Sequence, residues 1–105
     1  MTSNIDILAI GSHPDDVELG CGGTIAKEIS MNKSVGIIDL TQGELGTRGN
    51  KEIRLKESTE ASKILNVSFR ENMHFRDCFF KNDVEHQIEL IKKIRKYRPR
   101  IILCN

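Results

Sequence analysis

His13, Pro14, Asp15 and Asp16 occupy four consecutive positions directly after a short apolar run, Ile5 to Gly11. A neutral imidazole and a carboxylate are good ligands for a divalent metal such as zinc. The second carboxylate is then left over to work as a base. Pro14 has a fixed φ and no N–H, so it stiffens the turn that aims these side chains. Gly20, Gly22 and Gly23 follow and let backbone or substrate approach closely where a helix begins. The spacing suggests a metal hydrolase site at the end of a first strand. The pieces also have ordinary readings: an Asp-Asp pair is often a solvated turn, and a histidine after a strand is often only hydrogen-bonded.

The elements that must position these residues alternate strand and helix. Residues 5–11 read as a buried strand. A helix begins between Val17 and Gly23 and runs to about Asn32, with Leu19, Ile25 and Ile29 facing inward. A second strand covers residues 35–40 and ends in a polar loop from Thr41 to Gly49. A helix follows over about 51–65, with Ile53, Ala61, Ile64 and Leu65 on its buried side. A weak strand spans 67–75. A third helix covers about 84–97, with Ile88, Ile91 and Ile94 inward. Pro99 ends it, and 101–104 is a last strand. This order predicts a single α/β domain with a mainly parallel sheet. Ligands of such sheets bind beyond the carboxyl ends of the strands. His13, Asp15 and Asp16 follow strand one, Gly43 and Glu44 follow strand two, and Asp77 follows the weak strand. All the polar clusters therefore fall at one edge of the sheet.

Composition excludes several function classes. The 105 residues allow one domain, and 38% hydrophobic with 30% charged residues fits a soluble globular chain. A formal net charge of +1 and sparse aromatics argue against nucleic acid and against a membrane surface as partners. No apolar run is long enough to span a bilayer, and Met1 to Asn4 show no signal-peptide pattern, so a cytoplasmic location is expected. Cys21, Cys78 and Cys104 form no CxxC pair and read as free thiols, the last two as small core residues. The basic run Lys92, Lys93, Arg95, Lys96 and Arg98 reads as a solvated helix end, with a binding patch as the alternative.

Other residues carry competing readings. Gly20-Cys21-Gly22-Gly23 with Asp39 evokes a dinucleotide site. That fingerprint should follow strand one directly, however, and the intervening carboxylates would repel a pyrophosphate. His86 reads as a surface residue and His74 as a hydrogen-bonded structural one. Arg54 and Glu57 form either an exposed i, i+3 pair or, for Arg54, a reach over the sheet edge to an anionic or hydroxyl-rich substrate.

The segment His13-Pro-Asp-Asp-Val-Glu-Leu-Gly-Cys-Gly-Gly-Thr24 resembles the signature of the zinc-dependent LmbE-like, or PIG-L, N-acetylglucosamine deacetylases. Asp39-Leu-Thr-Gln-Gly-Glu-Leu-Gly-Thr-Arg-Gly49, Arg54-Leu-Lys-Glu57 and Asn72-Met-His-Phe-Arg-Asp77 extend the likeness over nearly the whole chain. It looks closest to the branch that deacetylates N-acetylglucosaminyl-malate in bacillithiol biosynthesis. The resemblance implies a Rossmann-like three-layer sandwich, with His13 and Asp16 as zinc ligands and Asp15 as general base. It implies substrate contacts for Arg54, Asp77, Gly43 and Glu44. The family's third zinc ligand comes from a histidine after the strand that here ends at Asn105, so the chain is expected to be the N-terminal portion of the enzyme. Residues 1–105 alone are then expected to bind zinc weakly and not to catalyse. The uncovered edge after the last strand predicts self-association, and a homo-oligomer is expected. Asn66 stands where the family usually has glycine, and asparagine tolerates the left-handed conformation such a turn needs. The competing class is a non-catalytic α/β module for sugar binding or protein interaction, which need hold no metal.

Overall fold

The continuous apolar runs become the two central strands, because a parallel sheet covered by helices buries both faces of each strand. A computed structural model of the chain describes residues 4–105. It contains β1 (Ile7–Gly11), α1 (Asp16–Ser30), β2 (Val35–Thr41), α2 (Lys51–Leu65), β3 (Phe69–Phe75), α3 (Val84–Tyr97) and β4 (Ile101–Cys104). The strands form one parallel sheet in the order β3-β2-β1-β4. The chain steps outward from β1 to β3 and then returns to the other side of β1. Such a reversal opens a crevice beyond the carboxyl end of the central strand, where α/β folds place ligands. His13 lies there.

Alternate residues of a strand face opposite sides of the sheet. Ile7, Ala9, Val35 and Ile37 meet Val17 and Ile25 of α1 on one face. Leu8, Ile10 and Ile38, with Ile5, meet Leu90, Ile94 and Tyr97 of α3 on the other. Each fully buried aliphatic side chain is worth about 1.5–3 kcal/mol. Phe69 stacks on Tyr97 with ring centroids 3.9 Å apart and lies across Gly36, leaving no room there for a Cβ. Asn50 caps α2 by accepting from the Ile53 N–H at 2.9 Å. Asn66 closes the helix in the left-handed region (φ 63, ψ 41), as its place in a glycine-type turn requires.

Several inward faces differ from those expected. Leu19 is 81% exposed, and α1 instead buries Val17 and Ile25. The helix starts at Asp16, so the glycines lie inside it, around a kink at Cys21 (φ −146, ψ 21). That placement, past the first turn of α1 and not directly after β1, removes the dinucleotide reading. On α2, Ile53 and Ile64 are exposed, and Ser58 is the one buried residue of the helix. On α3, Ile88 and Ile91 are largely exposed, and the packed stripe is Leu90, Ile94 and Tyr97. Cys78 and Cys104 are exposed, not core residues. Cys78 sits in a loop and Cys104 on an edge strand with little over it. The absence of a signal-peptide pattern rests in part on residues 1–3, outside the described residues. Among those described, no helix is long and apolar enough to cross a membrane.

Candidate active site

Ser12 continues β1 by one residue, and its carbonyl accepts from both the N–H (3.0 Å) and the hydroxyl (2.9 Å) of Thr41. Asn72 donates to the Thr41 carbonyl at 2.7 Å. The carboxyl ends of β1, β2 and β3 are thus stitched side by side, and the turn His13–Asp16 starts from a fixed platform.

The imidazole of His13 lies between two carboxylates. Nδ1 is 3.1 Å from Asp16 Oδ2, and Nε2 is 3.0 Å from Asp77 Oδ1. Asp16 Oδ2 also accepts from the His13 N–H at 3.0 Å. A neutral ring has one N–H, so it can donate to only one carboxylate. The other nitrogen then turns a lone pair on an anion, a conflict that is relieved either by protonating the ring or by placing a cation between the two groups. Burial disfavours the imidazolium, but the bonds to Asp16 and Asp77 outweigh it and hold His13 above its usual range. The His13 side chain is 40% exposed and that of Asp16 24%, whereas Asp77 is nearly closed off at 3%. The accessible side of the cluster is therefore the Nδ1–Asp16 side.

Asp77, expected to contact substrate, is bound within the protein. Both its oxygens are occupied by protein donors: His13 Nε2, and the Leu45 N–H at 3.0 Å. Burial pushes its pKa up, but the Leu45 N–H and His13 more than compensate and hold it below the usual carboxylate range. Its own N–H donates to Glu44 Oε2 at 2.9 Å, which lowers the Glu44 pKa. One buried side chain thereby ties His13 to the Gly43–Leu45 loop.

Asp15 is the exposed member of the turn. It stands at the N-cap of α1 (φ −125, ψ −9), yet its carboxylate makes no capping hydrogen bond. It lines a cavity of about 470 Å³ together with Glu18, Arg48, Arg54 and Glu57. Arg54 lies over the β2–α2 loop, and a Cβ on Gly43 or Gly46 would come within 2.8 or 2.6 Å of its guanidinium nitrogens. Gly43 is also left-handed (φ +63). Arg54 therefore faces the same opening as Asp15. Cys21 stays outside this chemistry: burial and the nearby Glu18 push its thiol pKa up.

Arg70 is a residue that type and spacing alone do not single out. It is 8% exposed and forks onto Asp39 and Glu18 under the His13–Asp16 turn. The available signal was Asp39 itself, a carboxylate within a buried apolar strand, which needs a partner. That pair occupies the acid of the dinucleotide reading. His74 uses its backbone N–H, bonded to Asn72 Oδ1 at 2.8 Å, and its residue is exposed. His86 is half-buried: its ring meets Phe75 edge-on with centroids 4.6 Å apart and bonds Asp83 at 2.6 Å. Part of the basic run on α3 is paired, with Lys93 3.3 Å and Lys96 3.9 Å from Glu71. Among the described residues no three histidine, cysteine or carboxylate side chains group as a metal site; His13 and Asp16 make two.

Residues 8–105 match the family described as PIG-L: GlcNAc-PI de-N-acetylase. The chain belongs to this family. An uncharacterized deacetylase, YaiS of Escherichia coli strain K12, is 36% identical over 90 residues, 86% of this chain and 48% of its own length. The conserved protein TT1542 from Thermus thermophilus superposes with a TM-score of 0.88 at 45% identity, over 93% of this chain and 44% of that one. The N,N'-diacetylchitobiose deacetylase from Pyrococcus horikoshii gives a TM-score of 0.86 at 32% identity, over 92% and 39%. The PIG-L chain described here thus spans less than half the length of these relatives. Its all-parallel α/β architecture is shared with both structures.

Proposed function

We propose that the protein carrying this chain is a zinc-dependent deacetylase that hydrolyses the N-acetyl group of an N-acetylglucosaminyl conjugate. The observation that carries the reading is the His13 ring held between Asp16 and Asp77, with an uncommitted Asp15 beside it. Family membership and the deacetylase named among the relatives support it. N-acetylglucosaminyl-malate is the substrate favoured by the motif set from His13 to Asp77. A cytoplasmic location and self-association belong to the same reading.

The residues present fit two positions of a zinc site. Nδ1 and Asp16 Oδ2, 3.1 Å apart and accessible, are close to the roughly 3.4 Å edge of a tetrahedron with about 2.0–2.1 Å bonds. A cation there would also separate the Nδ1 lone pair from the Asp16 carboxylate. The third ligand is assigned, from the family resemblance, to a histidine outside this chain. Zinc would supply a Lewis acid that polarises the acetyl carbonyl and makes water acidic near neutral pH.

The chain's own residues do the rest. Asp15, close to the ligands but bound to no protein donor as a cap, accepts a proton from the attacking water and later returns it to the leaving amine. His13 and Asp16 would be excluded from that task, because the lone pairs they would give to zinc are not free to take a proton. Asp77 donates nothing to substrate; it holds the His13 tautomer with the proton on Nε2. Arg54, with Gly43 and Glu44, forms the wall that takes the sugar's hydroxyl groups or the malate's carboxylates.

Acetate release by the full-length protein from N-acetylglucosaminyl-malate and from N,N'-diacetylchitobiose tests the proposal. Chelation should abolish release and zinc should restore it. Undiminished turnover after complete metal removal would sink the zinc reading, and turnover of chitobiose alone would move the substrate to the oligosaccharide class.

A further inference from the structure

We infer that Arg70 is a positioning residue of this deacetylase, acting through the Pro14 carbonyl to aim Asp15. The inference rests on the proposed reaction and extends it to a residue outside the cavity.

Arg70 lies on β3, two strands from β1, and its guanidinium reaches back under the turn. Nε donates to Asp39 Oδ2 at 2.7 Å and Nη2 to Asp39 Oδ1 at 3.0 Å. Nη1 and Nη2 donate to the two oxygens of Glu18, each at 3.0 Å. Nη2 also donates to the Pro14 carbonyl at 2.6 Å, and Nη1 is 3.4 Å from Ser62 Oγ. Burial disfavours the cation, but Asp39 and Glu18 outweigh it and raise the Arg70 pKa further, so the charge persists. All faces of the fork are taken by protein acceptors, so Arg70 has nothing left to offer a substrate. Removing a paired buried charge commonly destabilises, and that alone would be a structural role.

Two observations point beyond it. The Pro14 carbonyl belongs to the peptide group that begins Asp15, so fixing it fixes the plane from which the Asp15 side chain departs. Among the described residues the Asp15 carboxylate makes no capping hydrogen bond to hold it. Its direction is thus set by the backbone, and the backbone is held by Arg70. Glu18 lines the cavity with Asp15, and the same guanidinium keeps that second carboxylate pinned instead of loose beside the base. The inward face of α2 fits this arrangement. The Ser62 hydroxyl and the Ser58 backbone carbonyl, not the isoleucines of the helix, face the fork, 3.4 and 3.5 Å from Nη1.

Arg70→Lys in the full-length protein is the test. Lysine keeps the charge but cannot hold Asp39, Glu18 and the Pro14 carbonyl together. We expect kcat to fall by about 10²-fold, the cost of a misplacement of roughly 1 Å. KM and zinc stoichiometry should stay near wild type. A folded, zinc-loaded lysine variant with wild-type kcat overturns the inference, whatever its melting temperature. If that variant does not fold, Glu18→Gln, which removes one anchored carboxylate and leaves the Asp39 pair, must lower kcat without raising KM. Unchanged kcat in Glu18→Gln then overturns it. Wild-type protein that deacetylates no N-acetylglucosaminyl substrate refutes the proposed reaction itself, a result distinct from either variant's.

Discussion

Replacing Asp77 by asparagine keeps the shape of the side chain and removes one of its two acceptors. The carboxylate accepts from His13 Nε2 and from the Leu45 N–H, both at 3.0 Å. An amide presents one oxygen and one NH₂ group. If the oxygen stays toward Leu45, the NH₂ faces Nε2 and drives the ring proton to Nδ1, the nitrogen assigned to zinc. If the oxygen turns to His13, the NH₂ meets the Leu45 N–H, and the loop under Arg54 loses its anchor. A hydrogen bond to a charged group is worth about 1.5–3 kcal/mol. At about 1.4 kcal/mol per decade that is roughly 10- to 100-fold in an equilibrium constant, the range seen when a partner of a ligating histidine is removed. The loss must therefore appear either as weaker zinc binding or as a raised KM. Competition with a chromophoric chelator measures the first and initial rates measure the second, both on full-length protein. A variant with zinc affinity and KM both within about twofold of wild type would refute the reasoning.

Asp15→Asn should cost roughly 10²–10⁴-fold in turnover while zinc stays bound, whereas Asp16→Ala should lose the metal; equal zinc loss in both would show the carboxylates wrongly assigned. Gly46→Ala places a Cβ 2.6 Å from an Arg54 nitrogen and 3.2 Å from the Gly43 carbonyl, so it should displace Arg54 and raise KM; unchanged steady-state kinetics would remove Arg54 from the substrate wall. Asp6 is held below its usual pKa chiefly by the Ser34 N–H at 2.8 Å. Its contribution to stability is therefore present above the ordinary aspartate range and is lost as pH falls through the lowered value. Urea midpoints of wild type and Asp6→Ala should converge in acid, and a gap that persists at the lowest pH would contradict this.

The strands and helices were legible because their signals are local. Val35 to Leu40 is a continuous apolar run, and a strand buried on both faces needs one. Pro99 ends α3 by a breaking rule that depends on a few neighbouring residues. Helix faces were less legible. The isoleucines of α2 mark a periodic stripe, but this helix covers a guanidinium, so its inner face is Ser58 and Ser62. Ile53 and Ile64 were left outside, because an amphipathic pattern says which face is apolar and not what lies across from it.

For the site, residue type and spacing by themselves determined the chemistry on offer: an imidazole and two carboxylates on a stiff turn after a buried strand, at the edge where α/β sheets bind ligands. The tertiary structure decided which atom does what. It set Asp77, sixty-four residues from His13 along the chain, against Nε2 and closed it off from solvent. It left Asp15 open and brought Arg70 from the third strand beneath Pro14. These assignments depend on contacts between strands whose order, β3-β2-β1-β4, follows from how apolar faces pack together. No local pattern encodes that packing, since the partner of each buried charge is chosen by the fold that desolvates it.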